Sequence, residues 1–111
     1  MPSISESKHK NENKLTQTIL DLNKMANSLL LHDPEGGLEI ASKAKGLASE
    51  GNLGEGLAES YKIISKAHLE LSQLEQALEN AYSSWKHYQK TSNEKEEAHV
   101  LCLIASIYLK C

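Results

Sequence analysis

The chain has 111 residues, 40% of them apolar and 24% charged, with a formal net charge of −3, which bounds it to about one small domain of ordinary soluble composition. All twelve basic residues are lysines, so the chain lacks the bidentate guanidinium fork suited to phosphates and base edges, and no basic stripe marks a nucleic-acid surface. No apolar run approaches the roughly 20 residues that span a bilayer, which excludes a membrane-crossing helix, and the polar opening residues carry no signal-peptide core.

Residues 1–13 read as a flexible polar tail and residues 14–111 as a helical domain, because apolar positions follow helical spacing throughout and no segment alternates with period two. The first helix is predicted from about Lys14 to Leu31, with Leu15, Ile19, Leu22, Met25, Ala26 and Leu29 on its buried stripe. Asp33-Pro34-Glu35 restarts the chain: Asp33 is a good N-cap, Pro34 fits the first helical position, and Glu35 suits the positive end of the helix dipole. The second helix carries Leu38, Ala41, Ala44, Leu47 and Ala48 to about Glu50, where Gly51 is expected as its left-handed cap.

The third helix is predicted from about Gly54 to Leu71, with Leu57, Tyr61, Ile64, Ala67, His68 and Leu71 on one stripe and Ile63 beside it. After a short turn at Ser72-Gln73, the fourth helix runs from about Leu74 to Lys90 and buries Leu74, Ala77, Leu78, Ala81, Trp85 and Tyr88. Thr91-Ser92-Asn93 forms the next turn, with Ser92 or Asn93 as N-cap, and Glu94, Glu96 and Glu97 occupy the first turn of a fifth helix. That helix places Val100, Leu103 and Ile107 on one side and Leu101, Ile104 and Tyr108 on the other. No later helix in the sequence covers both sides. Pairing of Val100, Leu103 and Ile107 between two chains is therefore expected, giving a homodimer, unless a sixth helix in a longer protein covers them.

The sequence matches itself at a shift of 40 residues. Leu38, Glu39, Ala41, Ala58, Ile64 and Leu69 recur as Leu78, Glu79, Ala81, Ala98, Ile104 and Leu109. A fixed period of roughly 20 to 50 residues is the mark of stacked helical repeats that build a binding surface.

Within this repeat, the segment from Leu57 to Ala81 resembles a tetratricopeptide repeat. Tyr61, Ile64-Ser65, His68 and Ala77 stand at the family's large, small-paired, aromatic and small positions, and Leu101, Ile104-Ala105 and Tyr108 follow in the next unit. Leu22, Met25-Ala26 and Leu29 match more loosely, with a turn about one residue shorter. The resemblance implies an all-α fold of antiparallel helix hairpins in a right-handed superhelix, about two and a half repeats long. The period of 40 exceeds the family's usual value of about 34. It is similar to the longer variant found at the N-terminus of bacterial signalling proteins, ahead of diguanylate cyclase or histidine kinase domains. The function so implied is a cytoplasmic, non-catalytic scaffold or sensory module that binds protein or peptide, with self-association as the alternative.

In this family partners lie against the concave wall of the first helices. Projected onto matching positions, that wall comprises Asn23 and Asn27 in the first unit and Glu59, Lys62, Lys66, Leu69 and Glu70 in the second. The third unit adds His99, Cys102, Ser106 and Lys110. Lys62 and Lys66, one turn apart, resemble the carboxylate clamp of chaperone-binding members, although Arg is absent and Glu59 and Glu70 dilute the charge.

The residues show no catalytic constellation and imply no cofactor. The five histidines include no i, i+4 pair and there is no Cys-x-x-Cys, so no metal site is expected. No nucleophile elbow is present. Gly51, Gly54 and Gly56 read as turn residues because no strand precedes them. Glu94, Glu96 and Glu97 read as a solvated helix start and Trp85 as a core residue. Cys102 and Cys111 lie nine apart on one helix, about 13 Å, too far for a disulfide between them.

Overall fold

A computed structural model describes the backbone of residues 4–111 and the side chains of residues 13–111. Its five helices are α1 (Ile4–Leu29), α2 (Pro34–Glu50), α3 (Gly54–Glu70), α4 (Leu74–Lys90) and α5 (Glu94–Lys110). Helices α2 to α5 each have 17 residues and are joined by three-residue turns, so two helices with their turns account for the period of 40. There is no strand among the described residues. The tail expected over residues 1–13 falls almost entirely outside the described side chains. The helix that follows begins at Ile4, not near Lys14.

The three turns that follow α2, α3 and α4 are closed the same way. Asn52, Ser72 and Ser92 adopt left-handed backbone at φ 53°, 60° and 57°. The next amide then reaches back five residues: Leu53 N–H to Ala48 O at 2.9 Å, Gln73 N–H to His68 O at 2.8 Å, and Asn93 N–H to Tyr88 O at 3.1 Å. This is the Schellman arrangement, which satisfies carbonyls at the helix end. It corrects the expectation for Gly51, which is right-handed at φ −83°. The left-handed residue is Asn52, whose short polar side chain tolerates that region. At the helix starts, the Asp33 carboxylate accepts from Gly36 N–H at 3.0 Å and the Asn93 side chain accepts from Glu96 N–H at 3.2 Å.

Consecutive helices pack as hairpins, and α3 also touches α1 and α5. Burial repeats with the sequence. Gly37, Ala41, Ala44 and Ala48 of α2 are buried, as are Ala77, Ala81, Ser84 and Tyr88 of α4. Ser60, Ile63, Ile64 and Ala67 of α3 correspond to the buried Val100, Leu103, Ile104 and Ile107 of α5. Small residues set the spacing. A Cβ at Gly37 would fall 2.9 Å from Ala26 O, so α2 approaches α1 at a distance only glycine permits. One hairpin later, Ser65 Oγ donates to Ala77 O at 2.6 Å, and Ser84 Oγ donates to Ala58 O at 2.7 Å. Every buried side-chain nitrogen and oxygen among the described residues has a partner.

Two expectations about helix faces are corrected. The buried stripe of α1 is Ile19, Asn23 and Ala26, continued by Leu30 just beyond the helix, while Met25 is 53% exposed. This rotation is possible because Asn23 finds partners inside: its Nδ2 donates to Gly56 O at 3.4 Å, and Ser60 Oγ lies 3.0 Å from its Oδ1. In α5, Val100 (0% exposed), Leu103 (9%) and Ile107 (0%) are not an open dimer face. They belong to the core with Ala58, Ala77, Ala81 and Tyr88. The large apolar side chains that α5 leaves to solvent are Leu101, Tyr108 and Leu109.

Candidate functional site

An open-sided groove of about 650 Å³ lies between α1 and the N-terminal halves of α3 and α5. Its apolar part comes from Ile19 and Leu20 of α1 and from Leu53 in the α2–α3 turn. Asn27, Asn52 and Asn93 supply amides, and Glu55, Glu59 and Glu96 form an acidic wall opposite Lys24. The close approach of α3 to α1 shapes one end: a Cβ at Gly56 would fall 2.9 Å from Ile19 Cγ2.

The acidic wall is held by a linked set of hydrogen bonds. Lys62 Nζ lies 2.9 Å from Glu59 Oε2 and 2.7 Å from Glu96 Oε2, with little of its side chain exposed. The Tyr88 hydroxyl, reaching across from α4, donates to Glu59 Oε2 at 2.6 Å. Asn93 Nδ2 donates to Glu55 Oε1 at 3.3 Å. Burial pushes the Tyr88 phenol up, and the adjoining Glu59 carboxylate adds to that, so the hydroxyl remains a donor at any ordinary pH. Burial pulls Lys62 down, but its bonds to Glu96 and Glu59 outweigh this and hold the ammonium above its ordinary range. The bond from Lys62 in turn holds Glu96 below the usual carboxylate range.

This geometry revises the projected partner surface. Of its residues, Asn23, Asn27 and Glu59 do line the groove. Asn23 is buried and committed to α3, so its role there is to join the two helices. Lys62 is not an open cation for a carboxylate ligand, because two carboxylates of the chain already hold it. Lys66, one turn on, lies outside the groove, and burial, followed by repulsion from Lys62, pulls its pKa down. Leu69 is half-buried against the core formed by α3, α4 and α5. Glu70, His99, Cys102, Ser106 and Lys110 are exposed and lie outside the groove, with His99 Nδ1 3.5 Å from Glu96 Oε1.

Among the residues that the projection missed are Leu20 and Lys24 of α1 and the polar groups Glu55, Tyr88, Asn93 and Glu96. Glu96 looks like an ordinary N-terminal acid of α5, yet the turn of the chain sets it against Lys62, 34 positions earlier. Among other polar residues, Trp85 Nε1 donates to Glu97 Oε1 at 3.1 Å, and His68 Nδ1 sits 2.6 Å from Gln73 Oε1 at the end of α3. Cys102 and Cys111 are both free thiols on the surface. No group of three or more His, Cys, Asp or Glu among the described residues is placed to hold a metal ion. No helix among them is long and apolar enough to cross a membrane. Comparison of the chain with family models, with curated proteins and with solved structures gives no match.

Proposed function

We propose that this chain is a non-catalytic module of the tetratricopeptide type that binds a segment of another protein in the groove between α1, α3 and α5, as a cytoplasmic regulatory part of a bacterial signalling protein. The groove itself carries the reading. It is concave, has an apolar floor beside exposed amides and carboxylates, and is framed by helices rather than by mobile loops, which is the usual composition of a recognition site. Its polar groups are engaged in holding helices together, with no nucleophile and base brought into hydrogen-bond reach, which favours binding over chemistry. In an amide-resolved NMR titration, peptides selected by display on the intact chain are expected to shift Leu20, Asn27, Gly54 and Glu59. Shifts confined to the outer surfaces of α2 and α4 would refute the reading.

A second reading, self-association, is favoured by one observation: Leu101, Tyr108 and Leu109 of α5 are exposed apolar side chains, Leu109 to 88%. Leu101, Ala105 and Tyr108 follow one another at spacings of four and three, the seam along which two helices pair. A homodimer would therefore use this outer seam of α5.

A further inference from the structure

We infer that the segment this groove accepts is cationic, a short stretch of lysine or arginine beside an apolar residue; this rests on the reading that the groove binds peptide. The charges that line the groove are unbalanced. Glu55, Glu59 and Glu96 stand on the α3 and α5 side, and Lys24 stands alone on the α1 side. Lys62, behind the wall, neutralises only part of it, because one ammonium is shared by Glu59 and Glu96. The bonds that fix Glu59 and Glu96 run through their Oε2 atoms to Lys62 and Tyr88, with the exposed His99 ring 3.5 Å from Glu96 Oε1. Each carboxylate is thus oriented in advance, with acceptor capacity left over, since an ionised carboxylate offers about four lone-pair sites.

An incoming carboxylate would meet this wall and find its best cation already taken. An ammonium or guanidinium would meet acceptors that need little reorganisation, and charge-assisted bonds of this kind are the stronger ones. The apolar neighbour follows from Leu20, which is exposed at the groove floor beside Ile19. The order of events is electrostatic attraction first and apolar seating second, because rim charges act mainly on encounter and orientation.

The test is a random dodecapeptide display library, depleted on the Leu20→Ser variant and then panned on the intact chain. Leu20 is exposed, so the variant keeps the fold while losing the most exposed apolar side chain of the groove. The expected pool is net positive, with Lys or Arg next to an apolar residue. Synthetic members should bind the Glu55→Gln variant about fivefold more weakly. Their affinity for the unmodified chain should fall as salt rises from about 0.05 to about 0.5 M, because exposed charges are then screened. A neutral or acidic pool that still depends on Leu20 overturns the cationic occupant and leaves peptide binding in the groove standing. No Leu20-dependent enrichment overturns both.

Discussion

Lys62 is the residue on which the α3–α5 junction turns, and Lys62→Met tests that directly. Methionine keeps the length of the stem and removes the ammonium, so packing along α3 changes little. What is lost is a pair of charge-assisted contacts, at 2.7 Å to Glu96 and 2.9 Å to Glu59. A hydrogen bond to a charged group contributes about 1.5–3 kcal/mol when well shielded. The lysine side chain is only 11% exposed, but its partners are 25% and 33% exposed, so water screens part of each contact. Glu59 and Glu96 would also repel each other once the ammonium between them is gone. The expected loss is about 2–3 kcal/mol at neutral pH, read from urea unfolding with the slope unchanged. A double-mutant cycle with Glu96→Gln should give a coupling of about 1–2 kcal/mol, where independent sites add to within about 0.5.

The pH dependence carries the sign of both groups. Glu96 is held below its ordinary value of 4.5, so its contribution is present above that value and lost as pH falls through the lower folded one. Lys62 is held above 10.5, so its contribution is complete below that value and lost as pH rises through the higher folded one. The stability gap between the unmodified chain and Lys62→Met should therefore be constant across the neutral range and shrink at both ends. Additive single substitutions, or a gap that persists undiminished in acid, would refute the account of this junction.

Two further substitutions separate core from surface. Leu103→Glu puts a charge into the cluster with Val100, Ile107 and Tyr88 and should lower stability by about 3 kcal/mol or more, seen as a large drop in melting temperature; Leu101→Glu should leave stability within about 0.5 kcal/mol and abolish any dimer seen by sedimentation. Ala77→Leu should cost about 1–3 kcal/mol through overpacking, because Ala77 is fully buried where α4 meets Ser65; an unchanged melting temperature would mean the contact is not tight.

Much of the fold was legible because the signals were local. Asp33-Pro34 marks the start of α2 through one cap and one fixed φ, and the recurrence at 40 residues follows from equal helices and equal turns. The helix faces were less legible where polar residues are buried. Counting apolar positions placed Met25 inside and did not foresee that Asn23 is buried; the structure exposes Met25 and buries Asn23, which still borders the groove, because Asn23 and Ser60 satisfy each other. The α5 error has a similar origin. Spacing divides the helix into two apolar sides, but only the docking of α5 on α3 and α4 decides which side is covered. Lys62 was misjudged because only one of its two partners, Glu59, stands beside it on α3, while Glu96 is 34 residues away.

The two copies of the repeat also differ at the groove. Two of the buried pairs are identical across the 40-residue shift, Ala41 and Ala81 and Ile64 and Ile104, while others, such as Ala67 and Ile107, keep only their apolar character. The four residues that the second copy gives to the groove, Tyr88, Thr91, Asn93 and Glu96, stand where the first copy has Ala48, Gly51, Leu53 and Gly56. None is kept, and each is larger or more polar than its counterpart. The physical effect differs accordingly. Gly56 lets α3 close tightly on α1, with Ile19 as the limit of approach. At the matching place on α5, Glu96 meets α3 through the Lys62 ammonium, and α5 touches α3 more lightly than α3 touches α1. With glutamate in place of glycine, α5 meets α3 through one bridging cation, and Glu96 joins Glu55 and Glu59 of α3 in the acidic wall of the groove.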